Sequence, residues 1–113
     1  RVPADKHAAM RIEHRVAGAD ANPYLVMAAI LAGMLYGIEN KLAAPAAITG
    51  SAYDECEPSL PRYWPDALDC FSQSTFIKEY MGEEFQRVYT IVKQQELDEY
   101  DKQITPLEYN TGF

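Results

Sequence analysis

Basic residues are the scarcer charged class in this sequence. Ten lysines and arginines stand against 17 aspartates and glutamates, for a formal net charge of −7. A nucleic-acid module ordinarily carries a basic patch for phosphate, so no nucleic-acid partner is expected. Glycine-rich phosphate loops, Ser/His/Asp arrangements and Cys/His clusters with metal-ligand spacing are all missing. That removes the commonest self-contained motifs of nucleotide, acyl-transfer and zinc chemistry. Cysteine is limited to Cys56 and Cys70, without CxxC spacing. The expectation is two free thiols in a reducing, cytoplasmic compartment. The longest apolar run, 24–38, contains Gly33, Tyr36 and Gly37 and is bounded by Asn22 and Glu39. It is shorter than a bilayer span requires, so neither a transmembrane segment nor a membrane partner is expected. The first position lacks methionine. The chain starts Arg1-Val2-Pro3 and reads as one entered in its middle.

Apolar material, by contrast, is ample. A hydrophobic fraction of 48% excludes a disordered composition, and the length has room for one domain with a modest core. Residues 1–8 read as a strand end and a polar loop, and residues 9–17 as a short strand. Asn22-Pro23 supplies an N-cap and a helix-starting proline. Leu25, Ala28, Ala29, Ala32, Leu35 and Ile38 then recur at helical spacing, which predicts a helix over 23–41. Val26, Met27, Ile30 and Met34 make that helix apolar nearly all round, the pattern of a helix buried inside something larger. Residues 42–63, with Pro45, Gly50, Pro58 and Pro61, predict a long connection. A second helix is predicted over 64–72, with Ala67, Leu68 and Phe71 inward. A helical turn follows from Thr75 to Tyr80, stopped at Gly82. A long amphipathic helix is predicted over 83–103, with Phe85, Val88, Tyr89, Val92, Leu97 and Tyr100 on its apolar side. Residues 104–113 form a polar-aromatic tail with no predicted element. The expected class is α+β and predominantly helical: short N-terminal strands, then three to four helices.

One stretch carries candidate chemistry. In Arg11-Ile12-Glu13-His14-Arg15-Val16, a period of two puts Arg11, Glu13 and Arg15 on one face and Ile12, His14 and Val16 on the other. Two guanidiniums can each grip phosphate or carboxylate, and a carboxylate between them could hold a divalent cation. By pattern alone, a cross-strand salt-bridge row is the first reading and an anion site the second. Arg1 could join them across a strand pair, but alone it reads as a surface arginine. His14 reads as a core or interface histidine, His7 as part of a polar loop, and Asn22 as a helix cap before it is a ligand. Tyr53, Asp54, Glu55 and Glu57 read as a solvated acidic loop.

Arg11-Ile12-Glu13-His14-Arg15, followed by Ala21-Asn22-Pro23-Tyr24-Leu25, resembles the glutamine synthetase family. There an R-x-E-x-R sequence and a short loop lead into A-N-P-Y-L at the head of an alanine-rich helix. Arg1-Val2-Pro3 is similar to a segment that precedes this motif in the family. GADANPYLVMAAILAGM, and the stretches at 48–54, 58–71 and 76–85, are similar to the branch of γ-glutamylputrescine synthetases and related γ-glutamyl-amine ligases.

The resemblance implies an ATP-dependent carbon–nitrogen ligase. Such an enzyme phosphorylates the γ-carboxylate of glutamate and amidates it with an amine or ammonia, using Mg²⁺ or Mn²⁺. It implies that Glu13 is a metal ligand and that Arg15 meets glutamate and its developing phosphate. It implies that Arg11 and Arg1 contact ATP phosphates or the transferred phosphoryl group, so that Arg11 and Arg15 are the catalytic candidates. The family fold joins a small β-grasp domain to a catalytic domain with a curved antiparallel sheet and helices. Its members form ringed homo-oligomers with sites between subunits. Residues 1–113 would be the C-terminal portion of that catalytic domain. The other metal carboxylates lie upstream in the family, and one carboxylate cannot build a two-metal site, so this chain alone is expected to be inert. Tyr53 lies near the place where some bacterial members are adenylylated, but the surrounding residues differ and the modification is not carried over. With its partners missing, helix 23–41 is expected to expose an apolar patch, so self-association of this chain is expected. The competing expectation is a stand-alone helical interaction module without catalysis, suggested by the over-apolar first helix.

Overall fold

A computed structural model describes residues 11–112 of the chain. Its regular elements are six helices: α1 (Pro23–Glu39), α2 (Ala52–Glu55), α3 (Trp64–Gln73), α4 (Thr75–Met81), α5 (Glu83–Asp101) and α6 (Pro106–Thr111). No strand occurs among the described residues, which corrects the expected α+β class and, over residues 11–17, the strand predicted for 9–17. A strand exists only where a neighbour takes up its N–H and C=O groups, and no described residue offers residues 11–17 such an edge. The expectations for residues 1–10, including Arg1 and His7, fall outside the described residues. The chain divides into two compact units, Arg1–Leu42 and Ala43–Phe113.

In the first unit, α1 is fixed at both ends by its own sequence. Asn22 has extended backbone, and its side chain accepts from the Tyr24 and Leu25 N–H groups at 3.0 and 3.3 Å. Pro23 then occupies the first turn, where no amide hydrogen is needed. At the other end, Lys41 takes φ +50, the Leu42 N–H donates to the Gly37 carbonyl, and the Lys41 N–H donates to the Ile38 carbonyl. This pairing of a left-handed residue with two backward hydrogen bonds is the Schellman closure. It stops the helix at Glu39, two residues short of the predicted end. Along α1 only Ala32 is buried, while Tyr24, Met27, Leu31, Met34, Leu35, Tyr36 and Ile38 are exposed. The apolar circumference read from the sequence is therefore present and largely uncovered. A Cβ at Gly33 or Gly37 would meet nothing within 4 Å.

The second unit is built on α5, against which α3 and α4 both pack. Leu68 of α3 and Leu97 of α5 are its buried apolar residues. Phe71 stacks near Tyr89, with ring centroids 4.9 Å apart, and meets Phe85 edge-on at 6.4 Å. Trp64 and Tyr100 approach within 6.5 Å at the far end. Ala67, expected inward, is exposed, as are Val88, Val92 and Tyr100 on the predicted apolar side of α5. A three-helix layer this thin has too little partner surface to cover a whole apolar stripe. Ser74 closes α3 and opens α4, its hydroxyl accepting from the Ile77 N–H at 3.2 Å. Gly82 separates α4 from α5 at φ +96 and ψ 145, a conformation almost restricted to glycine. Two short helices went unpredicted. The four-residue α2 lies within the connection, and α6 lies in the tail, held by Thr105 and Glu108 in a reciprocal capping box.

Candidate active-site segment

Residues 11–22 bring the sequence-predicted groups together ahead of α1. Arg11 Nη2 donates to Glu13 Oε1 at 3.0 Å, and Arg15 Nη2 donates to Glu13 Oε2 at 2.5 Å. One carboxylate thus bridges two guanidiniums. The Glu13 side chain is 22% exposed, against 57% and 69% for Arg11 and Arg15. The positive groups therefore face solvent above a more sheltered acid. Alternation survives without a ladder. Ile12 and His14 take the other side, where they line a shallow pocket of about 320 Å³ with Ala29, Ile30, Gly33 and Met34 of α1. His14 lines this pocket while remaining exposed, so it is a histidine resting on an apolar helix face rather than one enclosed in a core.

The link from this segment to α1 is tight. The Ala21 N–H donates to the Gly18 carbonyl at 3.2 Å, closing a turn that ends at the Asn22 cap. A Cβ on Gly18 would lie 2.7 Å from Asp20 Oδ1, so the turn has no room for a side chain there unless Asp20 moves. Asn22 is accounted for by its two capping bonds.

Chemically, the segment offers two cations on one face for an oxyanion, with a carboxylate between them. It does not make a metal centre by itself. Among the described residues no three His, Cys, Asp or Glu side chains group as a metal site, and Glu13 is the one carboxylate of the Arg11–Glu13–Arg15 cluster. A divalent cation fits here only as an ion shared with ligands from elsewhere. Arg1 lies outside the described residues, so its place beside Arg11 is not part of this geometry.

The remaining candidates fall to their simpler readings. Tyr53 is 98% exposed, and Asp54, Glu55 and Glu57 are exposed beside it, so the stretch is solvated as expected, although Tyr53, Asp54 and Glu55 lie in the short helix α2 rather than in a loop. Cys56 and Cys70 are free thiols on the surface. No helix among the described residues is long and apolar enough to cross a membrane. Periodicity gave no hint of Gln86, a buried polar residue on α5 whose amide bridges the Phe71 and Ser74 carbonyls at 2.7 and 2.9 Å. Its one sequence cue is a glutamine next to Phe85, on a face otherwise turned inward.

Comparison with known proteins adds an independent line. A family model described as glutamine synthetase, catalytic domain, matches residues 1–111. The chain is 41% identical over 108 residues to gamma-glutamylputrescine synthetase of Escherichia coli (strain K12), covering 96% of this chain and 23% of that protein. It is 34% identical over 104 residues to gamma-glutamylethanolamide synthetase of Streptomyces coelicolor, covering 92% and 22%. It is 37% identical over 101 residues to a type-1 glutamine synthetase of Dictyostelium discoideum, covering 85% and 19%. The chain thus spans roughly a fifth to a quarter of the length of these relatives.

Proposed function

The chain belongs to the glutamine synthetase catalytic-domain family, and from that premise we propose that residues 1–113 are the C-terminal portion of the catalytic domain of an ATP-dependent glutamate–amine ligase. The observation that carries this reading is the Arg11–Glu13–Arg15 bridge at the head of a capped helix. In the proposed reaction a γ-carboxylate oxygen of glutamate attacks the γ-phosphorus of ATP, and ADP departs. The amine nitrogen then attacks the acyl carbon, phosphate departs, and a proton leaves the nitrogen. Both steps spread negative charge over phosphoryl oxygens, which preoriented cations stabilise. Arg15 is assigned to glutamate and its developing acyl-phosphate, and Arg11, with Arg1, to the ATP phosphates. Glu13 is assigned as one oxygen ligand of a Mg²⁺ or Mn²⁺ ion whose other ligands lie outside this segment. Such an ion, when bound, supplies charge neutralisation to phosphate oxygens.

An organic amine is favoured over ammonia as acceptor because the names of two relatives describe γ-glutamyl-amine products. The active protein is proposed to be a cytoplasmic homo-oligomer, with the 113-residue chain inert alone. The test is phosphate release by the intact protein with ATP and glutamate, with putrescine, ethanolamine and ammonium compared in parallel. Faster turnover with an amine supports the reading, and preference for ammonium overturns the choice of acceptor. ATP- and glutamate-dependent release by the 113-residue chain above background overturns its inertness.

A further inference from the structure

Glu13 commits each carboxylate oxygen to a different arginine, Oε1 to Arg11 and Oε2 to Arg15. Both contacts use a guanidinium Nη2, and the carboxylate is the most sheltered of the three side chains. Resting on the reading that Arg11 and Arg15 face an anionic substrate, we propose that Glu13 is also a positioning residue. It couples the two guanidiniums into a single clamp for a phosphoryl-type oxyanion, a role separate from metal ligation.

The physical argument is one of orientation. Arg11 and Arg15 are long, exposed, flexible and of like charge, so on their own they splay apart. A guanidinium carries five N–H donors in one plane, more than a single oxygen can take. Fixing one Nη2 therefore restricts the directions in which the other N–H groups can be presented. A carboxylate has two acceptor oxygens, and with one guanidinium on each its own rotation is fixed, so loss of either arginine loosens the hold on the other. A carboxamide has one acceptor oxygen and turns NH₂ donors toward the second guanidinium, which breaks that linkage. Net charge pulls the other way, since removing Glu13 leaves the cluster more positive and by Coulomb attraction alone favours an anion. The strength of binding in a Glu13 variant therefore mixes two effects, whereas the dependence of one arginine on the other isolates the clamp.

The experiment is a set of double-mutant cycles on the intact protein, in metal-stripped buffer, with inorganic phosphate binding read by calorimetry. Arg11→Gln, Arg15→Gln and the double variant are each measured with Glu13, Glu13→Asp and Glu13→Gln. With Glu13, either single arginine loss should weaken phosphate nearly as much as the double, departing about threefold or more from multiplicative behaviour. Glu13→Asp, which keeps two acceptors, should preserve that dependence, and Glu13→Gln should make the losses multiply. A purely metal-binding Glu13 predicts the same behaviour in all three backgrounds. Losses that multiply with Glu13 in place, or dependence that survives Glu13→Gln, overturn the positioning role while leaving the anion site standing. A wild-type protein that binds no phosphate overturns the anion-site reading and the clamp with it.

Discussion

The side-chain amide of Gln86 donates to the main-chain carbonyl of Phe71 at 2.7 Å, and the same nitrogen reaches the Ser74 carbonyl at 2.9 Å. Each carbonyl already accepts one backbone N–H, Phe71 from Ser74 and Ser74 from Lys78. Gln86 adds a second donor to both from across the packing interface, which ties the α3–α4 junction to α5. Gln86→Leu keeps much of the volume and removes both bonds. It should lower stability by roughly 1–3 kcal/mol, about 0.5–1.5 kcal/mol for each hydrogen bond lost. A urea-unfolding midpoint checks this. Gln86→Glu should be at least as damaging, because it sets a carboxylate against two carbonyl oxygens.

Lys41 closes α1 from the left-handed region, at φ +50. A side chain there crowds its own carbonyl by about 1–2 kcal/mol relative to glycine. Lys41→Gly should therefore raise the stability of the α1 end by about 1 kcal/mol, less the extra freedom glycine gives the unfolded chain. Amide exchange at Asn40, Lys41 and Leu42 reads the effect directly, and faster exchange in the variant would contradict it.

In α6, the Thr105 backbone N–H donates to Glu108 Oε2 at 2.6 Å, and the Glu108 N–H donates to the Thr105 hydroxyl at 3.2 Å. The backbone bond first, and the Thr105 side chain second, hold the Glu108 carboxyl below its usual range. Its folded pKa thus lies below its unfolded one. The stabilisation is complete above the ordinary glutamate range and is lost as pH falls through the lowered folded value. Amide protection at Tyr109, Asn110 and Thr111 should fade over that acid window. Glu108→Gln keeps an acceptor and a capping box while removing the titration, so its profile should be flat there.

At the proposed site, Arg15→Ala should reduce kcat/KM of the intact enzyme on the order of 10²-fold, the usual effect of losing one preoriented transition-state contact. Arg15→Lys should recover only part of it, since an ammonium lacks the planar fork. Steady-state kinetics with glutamate varied at saturating ATP test this, and an unchanged kcat/KM would remove Arg15 from the site.

The sequence disclosed some of this more readily than the rest, for physical reasons. Helices α1, α3, α4 and α5 were legible because each combines a helical period with a local start or stop: Asn22-Pro23, Trp64-Pro65, Ser74 and Gly82. The overshoot at α1 came from Lys41, because propensity gives little reason to place a lysine in the left-handed region. Helix α6 was missed although Thr105-Pro106-Leu107-Glu108 spells out a capping box. The apolar residues there do not repeat, and the cap was the whole signal. The opposite error befell residues 11–16. Alternation reports which way side chains face, and it correctly separated Arg11, Glu13 and Arg15 from Ile12 and His14. It says nothing about whether a neighbouring backbone is present to turn that alternation into a sheet. The same pattern found the candidate site and misnamed its secondary structure.

Helix α1 carries its start at Asn22 and its stop at Lys41 and Leu42 within its own stretch of chain. Seventeen residues fix a rod of about 26 Å at 1.5 Å per residue. Because both ends are set by nearest neighbours, the length of the rod does not depend on what covers its exposed sides. The helix acts as a gauge: whatever surface comes to lie along it has to match a span already written into residues 22–42.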